Sequence, residues 1–226
     1  MHSNVLSIIL YGSHARNDNN ANSDYDICIF TKKLDGQKLT SSEINNLCKN
    51  SQHLQITPIY YQESLVDDML EYGSLFLWHL KLEGKILFGK KYFLSKIKKL
   101  KPFISHHSEI LYHKELFSDL NNYLDCIFLP NEFDLSLLFT IARNTCMLLA
   151  HKRGNPTFGR LSCYAAAKKL FPDLPIEKKE YLYLSKFKNI YERGTTQKYN
   201  LPSESKFKKF IVLIDNLLKY ALKKTE

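Results

Sequence analysis

Two short apolar stretches near the start of the chain decide the fold: residues 5–11 read VLSIILY, and residues 25–30 read YDICIF. Each is rich in β-branched residues and short for a helix, so each predicts a buried β-strand. The first strand stops at Gly12 and Ser13, and the second begins beside Asp24 and Asp26. Side chains two positions apart on a strand share a face, so we expect these aspartates to form one carboxylate pair.

The chain up to about residue 95 alternates strand and helix signals. Residues 40–43 read TSSE, a capping-box pattern that predicts a short helix ending near residue 51. Residues 54–61 predict a third strand, in which Pro58 favours an edge position or a bulge. Two helical segments and a glycine-bracketed run, most simply another strand, follow over 63–72, 75–82 and 84–89. Residues 1–95 therefore predict an α/β (α+β) domain with a small mixed sheet.

The rest of the chain predicts an all-α helical bundle over residues 103–226. Its helices are expected at about 103–127, 133–153, 160–171, 176–192 and 204–223, separated by prolines and by Gly154. The lysine-rich segment 90–101 is the candidate junction between the two domains.

Length and composition indicate an ordinary globular protein. The chain has 226 residues, of which 44% are hydrophobic and 24% charged. No apolar run of the length of a membrane span and no signal-peptide pattern is apparent, so we expect a cytoplasmic protein without a membrane partner. Five widely separated cysteines and no C-x-x-C pair predict reduced, mostly buried thiols rather than disulfides or a zinc site. The oligomeric state is not predicted.

The formal net charge of +9 comes from clustered lysines. Six of them fall within twelve residues without an acidic neighbour: Lys90, Lys91, Lys96, Lys98, Lys99 and Lys101. Such a cluster fits a polyanionic partner, nucleic acid included. Runs of charge are more commonly solvated surfaces, and the composition of this chain is generally rich in lysine, so both interpretations stay open.

The glycine, the serine and the aspartates together suit phosphate chemistry. Mg²⁺ prefers carboxylate oxygens combined with water and substrate phosphates. Two metal ions held by Asp24 and Asp26 would activate an attacking hydroxyl and stabilise a leaving oxygen at phosphorus. Gly12 lets a triphosphate approach the backbone, Ser13 offers its hydroxyl and N–H, and Arg16 is expected to neutralise phosphate charge.

The order of these motifs is more specific than any one of them. Residues 11–16 (YGSHAR) and 23–30 (SDYDICIF) resemble the GS…DxD signature of the DNA polymerase β-like nucleotidyltransferase superfamily. The resemblance implies that Gly12 and Ser13 bind the triphosphate of an NTP or dNTP. It implies that Asp24 and Asp26 hold two Mg²⁺ ions, with Mn²⁺ as an alternative. Ser23, which opens the second motif, is counted with the nucleotide-binding residues.

The chain departs from the family pattern at a third acidic residue. Many members carry it on the next core strand, where this chain has Leu54, Gln55, Ile56 and Thr57. Gln55 is the nearest counterpart and brings no charge. Weaker binding of one metal, a carboxylate from elsewhere such as Glu63, and a catalytically inactive relative all remain open.

The helical half is similar in layout to the accessory bundles of kanamycin-type nucleotidyltransferases and of HEPN-like proteins. HEPN ribonucleases use an arginine followed after four to six residues by a histidine, whereas seven residues separate Arg143 from His151. That spacing leaves the two side chains about 80° apart around a helix, so we do not expect a nuclease pair.

The acceptor is the least determined part of the prediction. Aminoglycoside-modifying relatives bind strongly cationic drugs, which a chain at +9 does not favour. The leading hypothesis is therefore a nucleotide, a nucleic-acid end or a protein hydroxyl, as in defence or toxin nucleotidyltransferases. Antibiotic modification stays an alternative, with acidic residues available to line a cleft at Glu109, Glu115, Glu132 and Asp134. An inactive nucleotide- or RNA-binding regulator is a second alternative.

Overall fold

The computed structural model describes residues 4–19, 23–33, 39–47, 56–127, 130–193 and 200–226. The chain divides into two compact units, Met1–Ile104 and Ser105–Glu226. The lysine-rich segment lies inside the first unit rather than between the two. It forms α5 (Lys90–Ile97), whose Phe93 and Ile97 are buried in the core of that unit.

A four-stranded mixed sheet forms the centre of the first unit. Its strands are β1 (Val5–Tyr11), β2 (Tyr25–Thr31), β3 (Ile56–Gln62) and β4 (Lys85–Phe88), in the order β3-β2-β1-β4. β1 pairs antiparallel with both β2 and β4, whereas β3 runs parallel to β2. The predicted small mixed sheet is thus confirmed, and Pro58 lies on an edge strand, where a missing N–H is tolerated.

The helices of the first unit are α1 (Gly12–Arg16), α2 (Ser41–Leu47), α3 (Glu63–Glu71), α4 (Leu75–Glu83) and α5. The bounds of α3 and α4 follow the predicted segments, and α2 begins as predicted, whereas its predicted end near residue 51 lies outside the described residues. No helix was predicted where α5 lies. The capping box before α2 is present: the N–H of Thr40 donates to Oε2 of Glu43, and the N–H of Glu43 donates to Oγ1 of Thr40.

Alternation along the strands gives the sheet two buried faces. One face carries Ile9, Cys28 and Phe30 and packs against apolar residues of α3, α4 and α5. The opposite face carries Ile8, Leu10, Ile27 and Ile29 and packs against Ala15 of α1 and Ile44 of α2. Helices on both faces fix the sheet, and with it the ends of β1 and β2 where the predicted site residues lie.

Among the described residues of the second unit, every regular element is a helix. Its helices are α6 (His106–Ile127), α7 (Glu132–Lys152), α8 (Arg160–Leu170), α9 (Lys178–Arg193) and α10 (Glu204–Thr225). Each begins and ends within a few residues of its predicted bounds. The central helix is α7, which contacts all four others.

By length and composition, α7 is the one helix among the described residues that could cross a membrane. Its most apolar window is 67% buried inside the protein, which is typical of the central helix of a bundle. A capping box of Asn131 and Asp134 begins α7, and Gly154, at φ +75°, follows its last turn.

The three cysteines whose side chains are described, Cys28, Cys146 and Cys163, are buried, and none of them forms a disulfide within the described part of the chain. Burial raises the pKa of the Cys28 thiol well above its ordinary value and also raises that of Cys146. The side chains of Cys48 and Cys126 lie outside the described residues.

Candidate active site

Gly12 lies directly against the carboxylate of Asp26. Tyr11, the last residue of β1, stands opposite Asp26 in the antiparallel register, so the next residue turns past the start of β2. The backbone of Gly12 has φ +71°, in the left-handed region that favours glycine. A Cβ built on Gly12 would collide with Oδ2 of Asp26 and lie 2.9 Å from its Cγ. The structure therefore brings the glycine motif and the aspartate motif together at one end of the sheet.

Asp24 and Asp26 also share a neighbour, the phenol of Tyr11. Both carboxylates are half-buried; Asp26 is the second residue of β2, and Asp24 precedes the strand. Burial raises the pKa of Tyr11 well above its ordinary value, and the negative charges of Asp26 and, more weakly, of Asp24 raise it further. The charges of both aspartates therefore act on the same phenol, and the prediction that their carboxylates share one face stays a prediction.

Tyr11 is a site residue that the sequence analysis missed. Its ring makes edge contacts with Phe76 and His79 of α4, at centroid distances of 5.4 and 5.6 Å. A tyrosine ending an apolar strand is ordinarily a core residue, so its type gave no signal. Its place beside the aspartates depends on the β1–β2 register, which the local pattern does not specify.

His14, the residue after Ser13, contacts the backbone of Ser23. Ser13 is the second residue of α1 and is half-buried. The backbone carbonyl of Ser23 lies 3.0 Å from Nε2 of His14, whose ring stacks on Tyr25 at a centroid distance of 3.7 Å. His14 therefore ties the residues before β2 to α1, a role that no motif indicated.

Arg16, expected to neutralise phosphate charge, is held by two carboxylates of the chain itself. Its Nε lies 3.1 Å from Oδ2 of Asp18, and its Nη1 lies 3.0 Å from Oε2 of Glu83. Burial opposes the charge of the guanidinium, but the hydrogen bonds to both carboxylates outweigh it and raise the pKa of Arg16.

Glu63 does not supply the missing carboxylate at the third acidic position. Gln55, the nearest counterpart, lies outside the described residues, and Thr57 occupies the register position beside Asp26. From Thr57, β3 runs about 17 Å to its last residue, Gln62, at roughly 3.3 Å per residue, and Glu63 comes after that end. There it accepts from the hydroxyl of Tyr92 at 3.1 Å and pairs with Lys96 at 3.0 Å. The hypothesis that Glu63 replaces the missing carboxylate is therefore wrong.

Comparison with known proteins assigns the first unit. Residues 1–93 match the sequence model of the polymerase beta nucleotidyltransferase family. That part of the chain is therefore a nucleotidyltransferase domain of the polymerase β-like superfamily, as the two motifs predicted. A search among curated proteins found no match to the chain.

The donor set at the sheet end fits Mg²⁺. Two carboxylates, Asp24 and Asp26, provide hard oxygen ligands, and Mg²⁺ commonly takes one or two carboxylates together with substrate phosphates. The close approach of Gly12 leaves backbone rather than side chain beside one of them. Among the described residues no cluster of three or more His, Cys, Asp or Glu is placed to hold a metal, so phosphate oxygens and water would have to complete the coordination.

Arg143 and His151 of the helical unit, which were not expected to form a nuclease pair, have different hydrogen-bond partners. Arg143 donates to the carbonyl of Phe158 and to Oδ1 of Asn144, whereas Nδ1 of His151 lies 2.9 Å from Nε2 of His106. The hydrogen bonds that the structure gives for Arg143 and for His151 thus go to different residues.

Four acidic residues were considered for an acceptor cleft, and the structure excludes this role for Asp134. It is 1% exposed, and its Oδ2 accepts the N–H of Asn131 at 2.8 Å as part of the α7 capping box. The expectation that Asp134 lines a cleft is therefore wrong. Glu109 and Glu115 are exposed, and Glu132 is half-buried.

Proposed function

We propose that the protein transfers a nucleoside monophosphate from an NTP or dNTP to a hydroxyl acceptor in a divalent-metal-dependent reaction. The observation that carries the proposal is the contact of Gly12 with Asp26 inside a matched nucleotidyltransferase domain. It joins a backbone surface open to phosphates to a carboxylate pair suited to the cation that accompanies them.

Each residue has a defined part in this reaction. Asp24 and Asp26 would hold two Mg²⁺ ions, or Mn²⁺ in their place, which supply charge stabilisation at the transferring phosphate. Gly12 would admit the triphosphate against the backbone, and the Ser13 hydroxyl would donate to a phosphate oxygen. The acceptor oxygen loses its proton and bonds to the α-phosphorus, while the bond to pyrophosphate breaks. The nucleotidylated acceptor, pyrophosphate and the proton released to solvent together account for all atoms of the nucleotide and acceptor.

We further propose an acceptor that is not a cationic drug: a nucleotide, a nucleic-acid end or a protein hydroxyl, as in defence or toxin enzymes. The net charge of +9 supports this choice, since it opposes the approach of polycations. Burial of Asp134 in a helix cap lends further support, because it removes one of the acids proposed for a drug-binding cleft.

The test is transfer of label from the α-phosphate of each NTP and dNTP, with Mg²⁺ or Mn²⁺, to RNA, DNA, free nucleotides, the protein itself and aminoglycosides. We expect product with the wild-type protein and a loss of at least about 100-fold in Asp24→Asn and Asp26→Asn, since even partners beyond the ligand shell contribute 10- to 100-fold. Asp68→Asn, a change of an exposed carboxylate on α3, should leave the rate unchanged.

The labelled product separates the alternatives. Label in a nucleic acid, in nucleotide oligomers or in the protein supports the acceptor proposed here, whereas label in an aminoglycoside overturns it in favour of drug modification. If no acceptor takes label with either metal, and Asp24→Ala leaves nucleotide affinity unchanged, the enzyme proposal fails and a nucleotide- or RNA-binding regulator takes its place.

A further inference from the structure

The helix that carries Gly12 and Ser13 is too short to keep its own position. α1 has only five residues, fewer than an isolated helix needs to be stable in water. Its place relative to Asp26 therefore depends on contacts with the rest of the first unit. Ala15 supplies one by packing on the sheet, and polar contacts supply the others.

The first polar contact joins α1 to the end of α4. Nη1 of Arg16 and Oε2 of Glu83 are 3.0 Å apart, with only 18% and 15% of the two side chains exposed. Nε2 of His79, one turn earlier on α4, lies 3.2 Å from the same carboxylate oxygen. A shielded pair of this kind holds its geometry better than an exposed one, because water and salt screen it less.

The second contact comes from the first residue of β4. Nζ of Lys85 donates to Oδ1 of Asn17 at 2.9 Å and to the carbonyl oxygen of His14 at 3.4 Å. Asn17 ends α1 in the left-handed conformation, at φ 62°. The end of α1 is thus held by the carboxylate of Glu83, which precedes Gly84, and by the cation of Lys85, which follows it.

Gly84, between α4 and β4, packs closely against β1, the strand that leads to Gly12. A Cβ on Gly84 would collide with the carbonyl oxygen of Leu80 and lie 2.8 Å from Cγ2 of Ile9. Glu83 and Lys85 therefore flank a backbone that lies directly on β1. The position of Glu83 is consequently tied to the same strand that ends at Gly12.

We propose that Glu83 is a positioning residue for nucleotidyl transfer. Through Arg16 it sets the distance between the Gly12–Ser13 backbone and Asp26, and Arg16 serves as the link instead of binding the triphosphate. The inference rests on the proposed function, because positioning has meaning only if Gly12 and Ser13 receive the nucleotide.

Glu83→Gln distinguishes the two roles of Arg16. If Arg16 only links, the variant loosens α1 and lowers kcat/KM for the nucleotide by about 10- to 100-fold, because small misplacements near reacting groups are costly. If Arg16 binds phosphate, removal of the competing carboxylate frees the guanidinium, and the KM for nucleotide falls or stays the same.

A double-mutant cycle with Arg16→Gln tests the link directly. Residues that act as a pair give non-additive effects, so the double variant should lose no more than either single variant. Glu71→Gln is the matched control, since Glu71 pairs with Lys101 at an exposed site of the same unit and should leave kcat/KM unchanged. Additive losses, or a rise in nucleotide KM confined to the Arg16 variants, would overturn the proposal.

Amide hydrogen exchange supplies a readout that needs no activity. The N–H of Asp18 donates to the carbonyl of Ser13 at 3.1 Å, so its protection reports on the end of α1. In Glu83→Gln we expect faster exchange at residues 13–18 and unchanged exchange in β1 and β2. Unchanged exchange at Asp18 overturns the positioning role even in an active enzyme. If exchange is faster in Glu83→Gln but the protein transfers no label, the link between Glu83 and Arg16 is supported and the proposed transferase function is rejected.

Discussion

Gly12 is held to glycine by two separate constraints. Its φ of +71° lies in the left-handed region, which costs other residues about 1 kcal/mol. Its Cβ position is also filled by the carboxylate of Asp26. The second constraint is the functional one, since any side chain there moves a proposed metal ligand.

We therefore expect Gly12→Ala to lose transfer activity by at least about 100-fold, because a displaced carboxylate no longer matches the reacting geometry. Gly154→Ala is a matched control, since Gly154 has φ +75° but nothing within 4 Å of its Cβ position. Urea denaturation should show a loss of stability of about 1 kcal/mol in Gly154→Ala and a loss larger by roughly 1 to 3 kcal/mol in Gly12→Ala, because the new Cβ also collides with Asp26. Equal activity in the two variants would contradict the role given to the Gly12–Asp26 contact.

Part of the site was predictable from residue types alone. Gly12, Ser13, Asp24 and Asp26 stand in a recognisable order on two strand signals, and the strands form where those signals lie. Glu83 was not predictable as a partner of Arg16, because their contact depends on β4 pairing with β1 across most of the first unit. Local pattern carries no information on such a pairing.

At the scale of elements, a partly buried polar contact joins α6 to α7 within the bundle. Nδ2 of Asn144 on α7 lies 3.2 Å from Nε2 of His113 on α6, and His113 is 6% exposed. Burial lowers the pKa of His113 below its ordinary value of 6.5, although the backbone carbonyl and the charge of Glu109 partly oppose the shift. The amide donates to a neutral imidazole, and protonation would remove that acceptor.

This contact predicts that acid weakens the fold. Below about pH 6.5 the unfolded chain binds a proton at His113 before the folded chain does, so stability falls with pH until the lowered pKa is reached. We expect His113→Gln, which does not titrate, to reduce the pH dependence by as much as about 1.4 kcal/mol per pH unit. Urea denaturation from pH 7.5 to 5 measures the difference, and identical pH profiles for both proteins would rule out His113 as its source.

The elements were predictable where local chemistry marks their ends. Thr40 with Glu43 marked the start of α2, and Gly154 marked the end of α7. Asp134 shows the limit of such reasoning, because an aspartate three residues after Asn131 suited either a cleft or a cap. Its burial and the hydrogen bond that it accepts from the N–H of Asn131 show that it caps the helix.

At the scale of the whole molecule, the net charge of +9 includes lysines that have an acidic partner and lysines that have none among the described residues. In the lysine-rich segment, Lys96 pairs with Glu63 and Asp67, and Lys101 pairs with Glu71. The other four, Lys90, Lys91, Lys98 and Lys99, are exposed and have no ion-pair partner within the described part of the chain. Two of them begin α5 and two follow its end, and we call these four the α5 lysines. They leave a concentrated positive charge on the nucleotidyltransferase unit.

If the acceptor is a nucleic acid, the α5 lysines should bind its phosphates. Replacing all four by Gln should weaken binding of a single-stranded oligonucleotide and reduce the slope of log K against log [salt] by roughly 2 to 3, at about 0.7 per lost contact. The control replaces Lys178, Lys179, Lys208 and Lys209, which are exposed on the helical unit, and changes net charge equally. Fluorescence anisotropy at several salt concentrations measures both, and equal losses would mean that only the total charge matters.

The pairing of β1 with β4 has a consequence for the order in which the protein is made. Ile8 pairs with Phe88, about eighty residues later, whereas β2 follows β1 almost at once. A ribosome therefore delivers the glycine and the aspartates long before the strand that covers the second edge of β1. Until then the nascent chain presents an open strand edge beside Ile8 and Ile9, the kind of edge that recruits other chains.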